Sequence, residues 1–194
     1  MALESLIFAT NNPHKAEEIR YDLGDKFSII TLREAGIFVD IPEPHDSLEA
    51  NASEKSRTIL NLTGKDCFSE DTGLEVEALG GAPGVKTARF VENNEQFPDN
   101  ISKLLYLLEG NSLRKAQFRT IISLQMNGKE YMFEGICPGT ISYKRLGNKG
   151  FGYDPVFIPE GAEKTFAEMT LEEKSGYSHR SKAVKKLAGF LIDI

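Results

Sequence analysis

Apolar positions along this chain change from unbroken runs to a 3.6-residue period and then to strict alternation, and each mode predicts a different element. Leu6-Ile7-Phe8-Ala9 is a continuous apolar run, as in a strand buried on both faces. It ends at Thr10-Asn11-Asn12-Pro13, where Asn12 suits a helix N-cap and Pro13 the first helical position. Ala16, Ile19 and Leu23 then mark one helical face. Phe27 to Thr31 reads as a second strand, and the prolines around Glu43 make Asp40–Pro44 an extended loop. Asp46-Ser47-Leu48-Glu49 gives a capping-box-like start to a helix that runs to about Leu62 and stops at Gly64. Its apolar stripe is Leu48, Ala52, Ile59 and Leu62. Lys55 falls on the buried side of that stripe, so its ammonium either snorkels to solvent or reaches into a cleft.

Strand-type residues resume at Cys67-Phe68-Ser69 and deliver Glu70, Asp71, Thr72 and Gly73 where the backbone is expected to turn. A Gly-rich loop, Gly80-Gly81-Ala82-Pro83-Gly84, follows. Asp99 to Leu108 is predicted as a helix with Ile101, Leu104, Leu105 and Leu108 inward. Ala116 to Met126 alternates as a strand, and Asn127-Gly128 is the strongest hairpin signal in the chain. The return strand is Tyr131–Ile136, after which Pro138-Gly139 is expected to turn into a further strand, Thr140–Tyr143. Three glycines between Gly147 and Gly152 exclude a regular element there, and Ser178 caps a last helix with Ala183, Val184, Leu187, Phe190 and Leu191 inward. The expected fold is α/β, with a mixed, strongly twisted sheet. One half is helix-covered, the other is an antiparallel meander, and the active-site cleft lies between these two lobes of a single domain spanning 1–194.

Composition narrows the function. With 194 residues, 40% of them hydrophobic, the chain can bury a sizeable core. A net charge of −6 argues against nucleic acid as a partner, because phosphate backbones need a clustered basic surface. No run of 18 apolar residues occurs, and Met1–Ser5 lacks a basic, then apolar, leader, so a cytoplasmic protein with no membrane partner is expected. Two cysteines without metal-ligand spacing read as free thiols of a reducing compartment.

The candidate chemistry is scattered but mutually consistent. Successive side chains of a strand face opposite ways, so one of Glu70 and Asp71 is free for a metal or water while the other is held by the scaffold. The Thr10–Lys15 turn leaves backbone donors at a helix N-terminus, which suits phosphate. Lys15 sits unfavourably for the helix dipole and calls for an anionic partner, either a ligand or nearby Glu17 or Glu18. Phe151 and Tyr153 flank Gly152 as core plugs or as a platform for a base. Lys174, His179 and Arg180 form a cationic cluster near the end.

These blocks, Thr10-Asn11-Asn12-Pro13-His14-Lys15, Ser69-Glu70-Asp71-Thr72-Gly73-Leu74, Leu79–Gly84, Gly150–Pro155 and Glu173-Lys174-Ser175 with Ser178-His179-Arg180, occur in an order that resembles the inosine triphosphatase family, the Ham1-like non-canonical purine nucleoside triphosphate pyrophosphatases. The resemblance implies hydrolysis of ITP, dITP and XTP to the monophosphate and pyrophosphate by a homodimer using Mg²⁺. It implies Asp71 as general base and metal ligand, Glu43 as the second metal carboxylate with Glu49 its competitor, and Lys55 as a catalytic cation. It puts phosphate on Thr10, Asn11, Asn12, Pro13, His14, Lys15 and Thr72, and the base on Phe151, Gly152, Tyr153, Asp154, Lys174, His179 and Arg180. A silent nucleotide-binding protein on the same scaffold, or a pyrophosphatase of other modified nucleotides, are the competing functions.

Overall fold

Alternate side chains of the first strand enter different cores, which is why its sequence is apolar throughout. In the computed structural model, which describes residues 5–24, 27–92 and 96–193, β1 (Ser5–Phe8) lies between β2 (Ser28–Thr31) and β3 (Cys67–Val76), parallel to both. Leu6, Phe8 and Phe68 meet Ala16, Ile19 and Leu23 of α1 (Pro13–Leu23) and Ala183, Val184 and Leu187 of α5 (His179–Asp193). Ile7 and Cys67 face the other way, towards Ile59 of α2 (Leu48–Thr63). The rings of Phe8 and Phe68 stack at 4.6 Å across the strand pair. The Met1–Ser5 segment, read as lacking a basic and then apolar leader, lies outside the described residues except for Ser5. No described helix is long and apolar enough to cross a membrane.

The strands continue as β4 (Pro83–Gly84), β5 (Lys115–Met126), β6 (Lys129–Ile141) and β7 (Phe157–Pro159), in the order β2-β1-β3-β5-β6-β7 with β4 on β3. Parallel pairing at β1 and antiparallel pairing of β4 with β3 and of β7 with β6 make this a mixed α/β sheet, as expected. The chain divides into two compact units. One takes in Met1–Asp71, Thr120–Gly135 and Arg180–Ile194, the other Thr72–Arg119 and Ile136–His179. The second unit has its own core around Leu74, Phe118, Phe157 and Phe166. It carries the helices α3 (Asn100–Leu107) and α4 (Leu171–Tyr177), so the meander half is not bare of helices. Asp99 caps α3 by accepting from Ser102 N at 2.8 Å, and Ile101 and Leu104 are buried as read.

Three local expectations are corrected. No turn occurs at Thr72-Gly73: β3 runs on to Val76 because Leu74 and Glu75 pair with Gly84 and Pro83, and the reversal comes at Gly80 and Gly81, both at positive φ. Pro138-Gly139 does not turn either. Both residues stay in β6, where the Pro138 carbonyl accepts Glu160 N at 2.9 Å. Gly139 lets β7 approach so closely that an added Cβ would lie 2.3 Å from Ile158 O. Leu62 is 56% exposed, since the last turn of α2 has passed the core that Ile59 reaches. From Thr120 onward both faces of β5 are buried. The polar positions there are satisfied by hydroxyl contacts, Ser123 to Ser56 at 2.7 Å and Gln125 Nε2 to Ser56 Oγ at 3.0 Å.

Just after β2 the chain is pinned by Glu34, which accepts from Arg20 at 2.5 Å and from the Thr31 amide at 2.8 Å and hydroxyl at 2.9 Å. The Arg20 bond and then the Thr31 amide lower its carboxyl from 4.5 to about 2. A depressed folded value stabilises above the unfolded pKa and is lost as pH falls through the folded one. The pair is half exposed, so the stability gap between wild type and Glu34→Gln should be under about 1 kcal/mol near neutral pH. Urea titrations should show that gap narrowing as pH falls from 4.5 towards 2; a widening gap would contradict the assignment.

Candidate active site

The pleat of β3 divides the two adjacent carboxylates between opposite faces. Phe68 and Glu70 face the α1–α5 side, while Cys67, Ser69 and Asp71 face α2. Ser69 fixes that register by donating to Ala52 O. The expectation that the two acids face opposite ways is therefore met by strand geometry, with no break in the strand: Glu70 is held by Lys15 and Arg180, and Asp71 meets Lys55.

On the α2 side, Lys55 is buried and donates to Asp71 Oδ1 at 3.0 Å and to Glu43 Oε1 at 2.5 Å. Of the two alternatives left open for it, reaching inward is the observed one. Asn51, one turn earlier, holds the loop after Glu43: its Oδ1 accepts from His45 N at 3.0 Å and its Nδ2 donates to His45 O at 3.1 Å. Burial raises the Asp71 carboxyl above its ordinary range. Lys55 opposes that rise, and the negative charge of Glu43 adds to it. Glu43 is less buried: desolvation pushes its carboxyl up, but the charge and hydrogen bond of Lys55, together with Lys15, more than reverse that and lower it. Burial alone would depress Lys55, but Asp71 and then Glu43 hold it protonated.

Two hard oxygen donors so close that the charge of Glu43 raises the proton affinity of Asp71 are a place where positive charge is wanted, and an ammonium now supplies it. Among the described residues no group of three or more His, Cys, Asp or Glu side chains forms a cage. Magnesium needs none, since it is commonly held by one or two carboxylates, substrate phosphates and water. Glu43 and Asp71 fit such an ion. Glu43, rather than its competitor Glu49, shares Lys55 with Asp71.

At the start of α1, Asn12 Oδ1 accepts from His14 N at 3.0 Å and Lys15 N at 3.3 Å, and Thr10 Oγ1 accepts from Asn12 N at 3.1 Å. The backbone donors expected to point outward are therefore largely met by the chain's own caps. What this turn presents is the side chain of Lys15, whose ammonium pairs with Glu70 Oε1 at 2.8 Å rather than with Glu17 or Glu18. His14 is exposed, and Asn11 Nδ2 donates to Val39 O at 3.3 Å. Pro13 occupies the first helical position, as read.

Arg180, read as a cation for a base, is instead the largest fully buried side chain. Its Nε and Nη2 meet Glu70 at 2.7 and 3.0 Å, and its Nη1 meets Glu18. Glu70 is held well below the usual carboxylate range: burial pushes it up, but Arg180 and then Lys15 more than reverse that. Sequence reasoning missed Glu18 and Glu70 as partners of Arg180. The one available signal was a Glu at position 18 beside the buried positions Ala16 and Ile19.

In the second unit, Lys174 is buried and pairs with Asp154 Oδ2 at 2.6 Å. Its ammonium lies 5.2 Å from the ring centres of both Phe151 and Phe166. Asp154 also accepts from Phe151 N at 2.9 Å, and Gly150 is required because a Cβ there would sit 2.0 Å from the same carboxylate. Phe151 is half-buried and Gly152, at φ +59, leaves its backbone open. Tyr153 is a core plug whose hydroxyl donates to Thr87 O at 3.1 Å. His179 is also buried, its ring stacked on Phe118 at 4.6 Å. Thr72 is half-buried in β3.

Over residues 6–190 the chain matches the sequence model of the Ham1 family. It is 46% identical over 186 residues to a dITP/XTP pyrophosphatase of Flavobacterium johnsoniae, spanning 96% of this chain and 97% of that one. A dITP/XTP pyrophosphatase of Porphyromonas gingivalis is 49% identical over 191 residues, 98% of each chain. The fold is similar to that of the Staphylococcus aureus Ham1 protein, with a TM-score of 0.86 and 33% identity over 98% of this chain and 99% of that one.

Proposed function

Because this chain belongs to the Ham1 family, we propose that it hydrolyses deaminated purine nucleoside triphosphates, ITP, dITP and XTP, to the monophosphate and pyrophosphate. The observation that carries the reading is the Glu43–Lys55–Asp71 group, in a chain whose full-length relatives are named for that reaction.

Asp71 takes the proton of the attacking water at its carboxylate, a role its raised proton affinity suits, since a base works best when its pKa approaches the working pH. Lys55 and Lys15 offset negative charge on the phosphates and on departing pyrophosphate. Glu43 and Asp71 would hold Mg²⁺, which when bound supplies charge neutralisation and a more acidic water. On the ring side, Lys174 is a donor suited to the 6-keto oxygen of hypoxanthine or xanthine, fixed by Asp154, with the Phe151 face beside it. Adenine carries an amino donor at that position and leaves the ammonium unmatched, a mismatch that costs up to about 10⁴–10⁵ in rate where a site is built around the bond. In this reading Tyr153 and His179 support the loop from the core. The family resemblance also supports a homodimer, while the net charge of −6 and the lack of a long apolar run support a cytoplasmic protein that works without nucleic acid or membrane.

A panel of ITP, dITP, XTP, GTP, ATP and CTP with Mg²⁺, assayed for pyrophosphate and orthophosphate, tests the proposal. Pyrophosphate as the product and rates highest on the deaminated purines are expected. Orthophosphate as the main product would overturn the reaction, equal rates on ATP the specificity, and binding without any turnover would favour a silent sensor.

A further inference from the structure

The Glu70 side chain has no exposed surface, yet it binds one cation that does. Its Oε1 accepts from Lys15 Nζ at 2.8 Å and from Arg180 Nη2 at 3.0 Å, and its Oε2 accepts from Arg180 Nε at 2.7 Å. Arg180 also holds Glu18, three residues after Lys15 on α1. Arg180, Glu70 and Glu18 together carry one net negative charge, and Lys15, 19% exposed at its side chain, neutralises it. A fork of Arg180 donors already satisfies the Glu70 carboxylate, so Glu70 does not need Lys15 to stay buried. Lys15 does need Glu70: without it, a flexible four-carbon stem samples many rotamers, and a ligand must order it on binding. One donor of the ammonium faces Glu70, leaving others for an incoming oxygen. Lys15 is also near enough for its charge to act on both Glu43 and Asp71.

We propose that Glu70 is a positioning residue that presents the Lys15 ammonium, preordered, to the pyrophosphate portion of the substrate, with Arg180 and Glu18 holding Glu70 from behind. The inference rests on the phosphate-binding reading of Lys15. It assigns the carboxylate next to the catalytic base a task on the opposite face of the strand, and it makes Arg180 part of phosphate recognition at one remove.

A double-mutant cycle tests it, with inorganic pyrophosphate as the probe, its binding followed by calorimetry in magnesium buffer and folding by far-ultraviolet circular dichroism. Lys15→Met and Glu70→Gln should each weaken pyrophosphate binding by about tenfold, and the double variant should bind no worse than Lys15→Met alone. If Glu70→Gln weakens binding as much in the Lys15→Met background as in wild type, Glu70 is framework only and the inference falls while the proposed function stands. If Lys15→Met leaves pyrophosphate binding unchanged, the phosphate reading itself falls. Should Glu70→Gln not fold, Glu70→Asp takes its place in the same cycle: it keeps the charge against Arg180 and shortens the reach to Lys15, with the same expected non-additivity.

Discussion

Asp71→Asn is expected to lower kcat on ITP or XTP by roughly 10²–10⁴-fold, the range for loss of a general base, while nucleotide binding survives. Asparagine keeps the shape and the oxygen that faces Lys55 but cannot take a proton at neutral pH. Burial already disfavours the charged form of Asp71, so a neutral side chain there should cost the fold little, and Glu43 remains to pair Lys55. Lost turnover with an unchanged melting temperature and retained nucleotide-induced stabilisation would match this outcome. Activity within a few-fold of wild type would remove Asp71 from the chemistry and with it the proposed mechanism.

The largest effect on stability belongs to Arg180. Arg180→Met removes the cation that Glu70 and Glu18 share and leaves both carboxylates buried, with Lys15 still against Glu70. Removing one partner of a buried ion network costs about 3–5 kcal/mol, because the carboxylates left behind have lost their solvation and gain no substitute. For a chain of this size that is a fall of roughly 6–20 °C in melting temperature. A residue whose main task was to touch a base would behave differently, losing specificity at nearly full stability. Urea unfolding of Arg180→Met separates the two; a loss below about 1 kcal/mol would rule out the framework role.

Much of the first unit can be read from local rules. Asn12-Pro13 starts α1, Ser47 and Gly64 bound α2, and the pleat alone implies that Glu70 and Asp71 do different work. The Gly147–Pro155 loop is irregular, as its glycines require, apart from a short turn at Asp154–Val156. Less legible were the lengths of the strands. Pro138-Gly139 and Thr72-Gly73 carry turn chemistry, but β7 pairs with Gly139, and β4 pairs with Leu74 and Glu75 just beyond Thr72-Gly73, so both strands run on through these residues. The loose donors at the head of α1 were misread because the same Asn12 that starts the helix also satisfies them.

By itself the sequence determined the α/β class, the main helix limits and the family likeness, since caps, periods and ordered motifs act over a few residues. Tertiary structure alone decided which charge answers which. Arg180 meets carboxylates 110 and 162 positions away, and His179, its neighbour, turns instead to Phe118. A cation in a first helical turn looks the same in sequence whether it faces a ligand or a buried acid. Only packing, by removing water from Glu70 and Glu18 at once, makes the inward pairing the favourable one.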